Sequence, residues 1–489
     1  MIGGECMSKG KKASDLIRAG VKLRAKAVSK SKEIQPILES EFDYIKDVKG
    51  KKFTVGFGKT EILPGDLDKK KYYVAGYNIN NPATGVLDTP FAHAVWIDDN
   101  SGRGAVVFVS IDNVGMLNKD VEAIKSSLSE FISETGCRSV EILSTHSHAG
   151  IDTMGIWGPL PFTGRDKHYM EVLRAGVRSA VKKAYMDRKD GDIFLGRVEV
   201  PDMQKDIRTP EVFSKTLTRL RFVPKDGGRQ VYFINFAAHS ESLSSKNSLV
   251  SADFPCYLRR KVFEETGAET IYFVGAIGGM ITMHLLDDDR PKSTKMIGEN
   301  LAEYALSIKN EKKLKPNLSM MKQRFYFEAD NTVLILAGMA GILKVDKYIS
   351  HNAPLKIALK SEMTYFELDG LKMLFIPGEL FPELLYGGYL SSEESATGQG
   401  AEVNPKPLVE ICDDKELLVF GLANDEVGYI IPPNDFLLDT DMPYLNRAKD
   451  IHGRNHYEET NSLGVKTAGK IAEVFENMYK KTQNTKNKQ

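Results

Sequence analysis

Cysteine is scarce in this 489-residue chain: Cys6, Cys137, Cys256 and Cys412 lie far apart and form no C-x-x-C pair. That spacing argues against a disulfide framework and fits a reducing, intracellular setting. An excess of either charge is also missing, because 66 Lys and Arg balance 66 Asp and Glu. A dedicated nucleic-acid binder normally carries a basic excess, so no nucleic-acid partner is expected. Long hydrophobic runs are absent too. The longest nearly uncharged apolar stretch, Val333 to Leu343, is far shorter than the roughly 20 residues that span a bilayer. No uninterrupted apolar segment precedes a small-residue cleavage site near the N-terminus, so the sequence predicts a cytoplasmic protein without a secretory signal.

What is present is an ordinary globular composition, 42% hydrophobic and 27% charged. The charge is uneven. Lys9, Lys11, Lys12, Arg18, Lys22, Arg24, Lys26, Lys30 and Lys32 outnumber Glu5, Asp15 and Glu33 near the N-terminus. Arg18, Lys22 and Lys26 share one helix face, while Leu16, Gly20, Leu23 and Ala27 follow another. Residues 1–40 are therefore expected to form a basic helical or extended arm, with weak membrane-surface contact as its functional reading. Lys486 and Lys488 fall in an expected disordered basic tail over 481–489, with Lys480 and Lys481 at its edge. Residues 41–480 between them read as a single large catalytic domain.

Within that body, five β-branched and aromatic runs end at polar or glycine residues: Ala105–Ile111, Val140–Leu143, Val231–Phe236, Thr270–Val274 and Leu371–Ile376. Helical patterns such as Lys119–Thr135 and Tyr169–Met186 alternate with them. The alternation predicts an α/β fold with a mixed, largely parallel β-sheet core flanked by helices. In such sheets functional groups gather beyond the carboxyl ends of the strands. His146 and His148 follow the second run, His239 the third and Glu379 the fifth. Residues i and i+2 of an extended segment share a face, so His146-Ser-His148 would aim both rings into one cavity. Zinc takes His nitrogen and carboxylate oxygen, with a position left for water in catalytic sites. An isolated His-x-His is weak evidence and a lone buried His or Glu is usually structural, but such groups after three separate strands point to a metal.

The order of several pieces resembles the neutral/alkaline (non-lysosomal) ceramidase family across roughly Phe53 to Gly464. They are Val55-Gly-Phe-Gly-Lys59, Ala75-Gly-Tyr77, Asp112, Ser144-Thr-His-Ser-His-Ala-Gly150, Asp206-Ile-Arg-Thr-Pro210, His239 with Val250-Ser-Ala-Asp253, Pro377-Gly-Glu379 and Ala423-Asn-Asp-Glu-Val-Gly-Tyr429. The resemblance implies a divergent, bacterial-type relative that carries the catalytic domain. It implies a single Zn²⁺ held by His146, His239, Glu379 and Tyr429. His148 would then contact substrate or act catalytically, Arg208 would bind a polar substrate group, and Tyr429 would add an electrophilic contact. The activity implied is cleavage of an amide (N-acyl) bond in a small-molecule or lipid-like substrate by metal-activated water. Glu241, Asp152 and Asp253 are candidates for a general base, each more often structural than catalytic.

Two departures qualify this. The family's glycine-x-x-serine-proline turn corresponds to Gly275-Ala-Ile-Gly-Gly-Met-Ile-Thr282, with Ile281 at about the serine position and Thr282 beside it. Neither the secretory signal nor the C-terminal β-sandwich of full-length ceramidases is expected from this sequence. A metal-dependent esterase, and a non-catalytic metal- or lipid-binding relative, therefore stand as alternatives. The Val333–Leu343 run reads first as a core element and second as an acyl-pocket wall with Met320, Met321, Phe325 and Phe327; Trp157 is placed at a cavity rim by its glycine- and proline-rich loop.

Overall fold

The computed structural model describes residues 49–350, 357–398 and 404–484, together with Asp15, Arg18 and Tyr44. Apart from Asp15 and Arg18, the arm expected over residues 1–40 lies outside the described residues, as do residues 485–489.

The first sheet contains β1 (Phe53–Glu61), β2 (Phe91–Asp98), β3 (Val106–Ile111), β4 (Ser139–Ser144), β5 (Lys189–Glu199), β6 (Thr216–Pro224), β7 (Val231–Phe236) and β8 (Glu269–Val274). Their spatial order is β8-β7-β6-β5-β1-β2-β3-β4, with Glu311–Lys313 added on β5. The sheet is mixed, as expected, but mostly antiparallel rather than largely parallel. Its parallel pairs are β3 with β4 and β7 with β8, and antiparallel ladders make up the rest. Ser110 Oγ on β3 donates to the Tyr272 carbonyl on β8 at 2.6 Å, so the sheet curls until its two ends meet.

A second sheet, unforeseen in the sequence apart from one strand, contains β9 (Leu318–Glu328), β10 (Ile357–Leu368), β11 (Leu371–Phe375) and β12 (Leu418–Phe420) in that order. It packs face to face on the first through an aromatic layer. Phe375 and Phe420 stack at 4.4 Å, and Phe108 of β3 stacks on Phe375 at 5.5 Å. Met320, Met321, Phe325 and Phe327 are buried on β9, and none of them lines the cavity described below.

Helices cover the outer faces. The run expected as one helix over Lys119–Thr135 is two, α1 (Asn118–Ser127) and α2 (Ser129–Thr135), interrupted at Leu128. Helix α3 (Lys167–Met186) starts two residues before the expected Tyr169 because Asp166 caps it, its carboxylate accepting the Tyr169 N–H at 3.0 Å. It buries Leu173, Val177, Ala180, Val181 and Ala184 on one stripe. The Val55-Gly-Phe-Gly motif of β1 makes this contact close: a Cβ on Gly56 would lie 2.0 Å from the Ala184 carbonyl oxygen, and one on Gly58 2.2 Å from that of Ala180. Helices α4 (Phe254–Thr266) and α5 (Arg290–Ser307) pack over β7 and β8. The apolar run near residue 333 forms α6 (Thr332–Ala340). Helix α7 (Lys466–Asn484) continues through the start of the tail expected from residue 481, laying Phe475 against Tyr365 of the second sheet.

Candidate metal centre

Three parallel pairs, β3–β4, β7–β8 and β11–β12, end on the same side of the molecule, and each feeds a loop into one site. The loop after β4 carries His146. Its φ of 59° takes the motif out of the extended conformation that the His-x-His reading assumed. Hydrogen bonds hold this turn on both sides: Ser147 N donates to the Asn113 carbonyl and His148 N to that of Ser240, each at 2.9 Å. The two rings still converge, with their Nε2 atoms 2.9 Å apart, because of this turn rather than a strand pleat.

His239 follows β7. Its N–H donates to the Ile281 carbonyl at 2.8 Å, and its ring Nδ1 lies 3.0 Å from the same oxygen. His146 Nδ1 is likewise 2.7 Å from the Val114 carbonyl. A carbonyl only accepts, so each Nδ1 carries the proton and each Nε2 presents a lone pair. Glu379 follows β11 in the Pro-Gly-Glu turn. Its Oε2 is 3.0 Å from His239 Nε2 and 3.5 Å from His146 Nε2.

Glu379 pairs in parallel register with Tyr429, which puts both side chains on one face and into one cavity. The Tyr429 hydroxyl donates to Met280 Sδ at 3.2 Å. Burial pushes this phenol well above its ordinary pKa, and the Glu379 charge adds to the effect.

Either a proton on His239 Nε2 or a cation held between the groups would balance this cluster. His239 Nε2 and Glu379 Oε2 are both acceptors when the imidazole is neutral, yet they face each other in a buried space. Burial opposes protonation of His239, but the hydrogen bond and charge of Glu379 outweigh it and raise its pKa. Burial also opposes ionisation of Glu379, and His146 and His239 outweigh it and hold the carboxyl well below its usual range. Tetrahedral zinc ligands at about 2.1 Å from the metal lie about 3.4 Å from one another. Within the set of His146, His239 and Glu379, the 3.0 and 3.5 Å spacings from Glu379 Oε2 to the two Nε2 atoms are compatible with a shared metal and with direct hydrogen bonds alike.

Two donor sets share His146 and His239. One adds Glu379, with Tyr429 beside it. The other adds His148, since the ligand nitrogens of all three histidines lie within 4.8 Å of one another. Burial depresses the His148 pKa, with His146 and His239 reinforcing the effect. Its Nδ1 has no hydrogen-bond partner among the described residues and sits 3.9 Å from Glu241 Oε2. Glu241 instead accepts the Tyr77 hydroxyl at 2.5 Å, and the Tyr77 ring meets His148 edge-on at 5.2 Å. Tyr77 is a site residue that residue-by-residue reading passed over; its only signal was its place in the Ala-Gly-Tyr segment.

The remaining candidates lie apart from the cluster. Arg208 is buried between two carboxylates, donating to Asp435 at 2.5 Å and to Glu458, and it does not line the cavity. Asp152 accepts the N–H groups of Met154, Gly155 and Trp157, and Asp253 caps α4 while accepting from Ser242. Both carboxylates are therefore engaged structurally. Neither Ile281 nor Thr282 lines the cavity.

That cavity has a volume of about 350 Å³. His146, His148, Glu379, Glu426 and Tyr429 form its polar wall. Its apolar wall includes Leu334, Ile335 and Leu343, so the 333–343 run, read first as core, lines the cavity instead; Trp157 lines it as expected. Glu426 was not read as a site residue; burial and the charge of Glu379 raise its pKa well above normal.

Residues 53–272 match the family described as neutral/alkaline non-lysosomal ceramidase, N-terminal. The neutral ceramidase of Drosophila pseudoobscura pseudoobscura is 27% identical over 219 residues, covering 41% of this chain and 30% of that protein. Neutral ceramidase 1 of Arabidopsis thaliana is 24% identical over 278 residues, covering 51% and 33%. The match thus spans about a third of the length of these relatives. The crystal structure of neutral ceramidase from Pseudomonas aeruginosa shares the fold at a TM-score of 0.64 and 14% identity, covering 88% of this chain and 74% of that one. Residues 53–272 are therefore similar to the N-terminal part of neutral/alkaline non-lysosomal ceramidases, and the chain shares the fold of a solved neutral ceramidase.

Proposed function

We propose that this chain is a zinc-dependent hydrolase of the N-acyl amide bond in a ceramide-like lipid, with His146, His239, Glu379 and Tyr429 holding the metal. The observation that carries the proposal is the convergence of lone-pair imidazole nitrogens and a carboxylate in the wall of a largely apolar cavity. The relatives are named as ceramidases, which supports the choice of substrate.

A bound zinc ion supplies Lewis acidity and lowers the pKa of its water to about 7. The protein's own groups do the rest. Val114 and Ile281 fix the tautomers of His146 and His239. His148, on the cavity wall and outside this ligand set, exchanges a proton with the leaving amine. Leu334, Ile335 and Leu343 exclude water and receive the acyl chain.

The test is metal analysis of the purified chain followed by turnover of matched N-acyl amides and esters. Stoichiometric zinc, lost in His146→Ala and Glu379→Ala together with amide hydrolysis, is the expected outcome. Hydrolysis confined to esters would replace the amidase by an esterase. Ile281 at about the position of the family serine favours one other reading, a metal- or lipid-binding relative. Zinc retention without turnover of any substrate would establish that one.

A further inference from the structure

The mouth of the cavity is more apolar than a water-facing rim should be. Residues 155–164 form a loop closed on itself by the Gly164 N–H donating to the Gly155 carbonyl at 3.1 Å. Its tip exposes Leu160 at 59% and Phe162 at 71% of their full surface. On one side the Trp157 carbonyl accepts the Asn80 N–H at 2.9 Å, which joins the loop to Tyr77 and to Ile79, itself 53% exposed. On the other side Thr163 Oγ1 donates to the Ile342 carbonyl at 3.3 Å, which joins it to the end of α6.

Helix α6 has no polar face. Thr332-Val-Leu-Ile-Leu-Ala-Gly-Met-Ala340 contains no charge, yet Val333, Leu334, Leu336, Ala337 and Met339 are only half-buried and Ala340 is exposed. A helix apolar all round belongs in a core or against lipid. This one has the cavity on one side through Leu334, Ile335 and Gly338. Contiguous exposed apolar surface of this kind marks a binding face.

The polar residues at the same mouth are mainly cationic. Lys119, Lys347 and Lys360 line the cavity, and among the described lining residues Asp346 is the one exposed carboxylate; it pairs with Lys119 at 2.6 Å, which leaves Lys347 and Lys360 as the excess positive charge. Apolar groups flanked by lysine match a bilayer with anionic headgroups.

We propose that the Leu160–Phe162 tip, Ile79 and α6 form a lipid-docking face that seats the cavity mouth on an anionic phospholipid bilayer, so that a lipid substrate passes from the membrane into the cavity without crossing water. This deepens the functional reading above and rests on it for the substrate, but not for the surface. The face is distinct from the basic N-terminal arm.

The chain has two tryptophans, and they make a local readout. Trp157 sits at the mouth, while Trp96 is 2% exposed in the core. The full-length protein is mixed with phosphatidylcholine–phosphatidylserine vesicles whose acyl chains carry bromine, and tryptophan quenching is followed. Quenching that disappears in Trp157→Phe is expected. Leu160→Asp/Phe162→Asp should weaken the quenching titration on the order of tenfold or more. The same variant should turn over a soluble short-chain N-acyl amide at the wild-type rate, which also shows that it folds. Met186→Asp, at an exposed apolar site away from the mouth, should bind like wild type. Absence of quenching in the wild type, or quenching indifferent to the double substitution, overturns the docking face. A dimer in sedimentation that the double substitution dissociates, without quenching, would assign the face to a second copy of the chain. Quenching without turnover of any amide would leave the face standing and remove the hydrolase reading.

Discussion

An imidazole has two nitrogens, and the hydrogen bond at one decides what the other offers. His146 and His239 each give Nδ1–H to a main-chain carbonyl, of Val114 and Ile281 respectively, so the Nε2 lone pairs that meet Glu379 are set by residues whose side chains play no part. Buried carboxyls elsewhere follow a different rule. Burial pushes Glu383 up to about 8, the nearby Asp435 and Asp206 add to this, and Arg208 opposes it. In the unfolded chain the same carboxyl titrates near about 4.3. The folded state therefore holds a proton that the unfolded state releases between those values. The stability this contributes is complete below about pH 4 and is lost as pH rises through about 8. Glu383→Gln keeps the shape and cannot ionise, so it should raise Tm over wild type at pH 8.5 and much less at pH 5. An equal change at both pH values would contradict a proton on Glu383. At this scale the sequence shows side-chain chemistry and little of its setting. His146, His239 and Glu379 are recognisable because their types suit a metal. The partners of Arg208 are 227 and 250 residues away in the chain, beyond any local pattern. The left-handed turn at His146 depends on loops after two other strands.

Strands β3, β4, β7 and β8 are buried on every residue, and their sequences read as mainly apolar runs whose bounds fall within a residue of the structure. Together with β11 they belong to the parallel pairs, and that is why a largely parallel sheet was expected. The antiparallel β5 and β6 mix buried and half-exposed positions, and β9 and β10 carry charged residues such as Lys322 and Glu362 inside the protein. Local hydrophobicity does not mark such strands, and so most of the second sheet was missed. The short segments that carry ligands depend on close backbone contact instead. A Cβ on Gly278 would lie 2.6 Å from Phe381 N and 2.7 Å from the Glu379 carbonyl oxygen. These are main-chain atoms that cannot rotate away, so Gly278→Ala must shift the strand that presents Glu379. The expected cost is about 1–3 kcal/mol of stability, and zinc affinity measured against a competing chelator should fall on the order of tenfold. Wild-type affinity in a folded Gly278→Ala variant would show that this contact does not position Glu379.

The two sheets meet mainly through aromatic rings, but one part of their interface is ionic. Lys322 on β9 is 5% exposed and reaches Glu141 on β4 at 3.0 Å, Ser139 at 3.0 Å and Glu362 on β10 at 3.4 Å. Lys125 on α1 also bonds Glu362 at 2.5 Å. Burial opposes ionisation of Glu362, and Lys125 and Lys322 outweigh it and hold the carboxyl far below its normal range. The network therefore ties the strand that leads into His146 to the sheet that leads into Glu379. Replacing one member of such a buried set leaves its partners charged and unpaired, which costs about 3–5 kcal/mol. Lys322→Met should lower the unfolding free energy measured by urea titration by that amount, because methionine fills the space and leaves Glu141 without its cation. Adding Glu141→Gln should recover part of the loss, since a neutral amide no longer requires a cation. Retention of zinc below the new midpoint, if the proposed site binds it, should match wild type in both variants, because neither residue reaches the histidine cluster. A cost under about 1 kcal/mol in Lys322→Met would mean that Lys125 and Arg324 already balance the two glutamates. The aromatic layer alone would then register the two halves of the site.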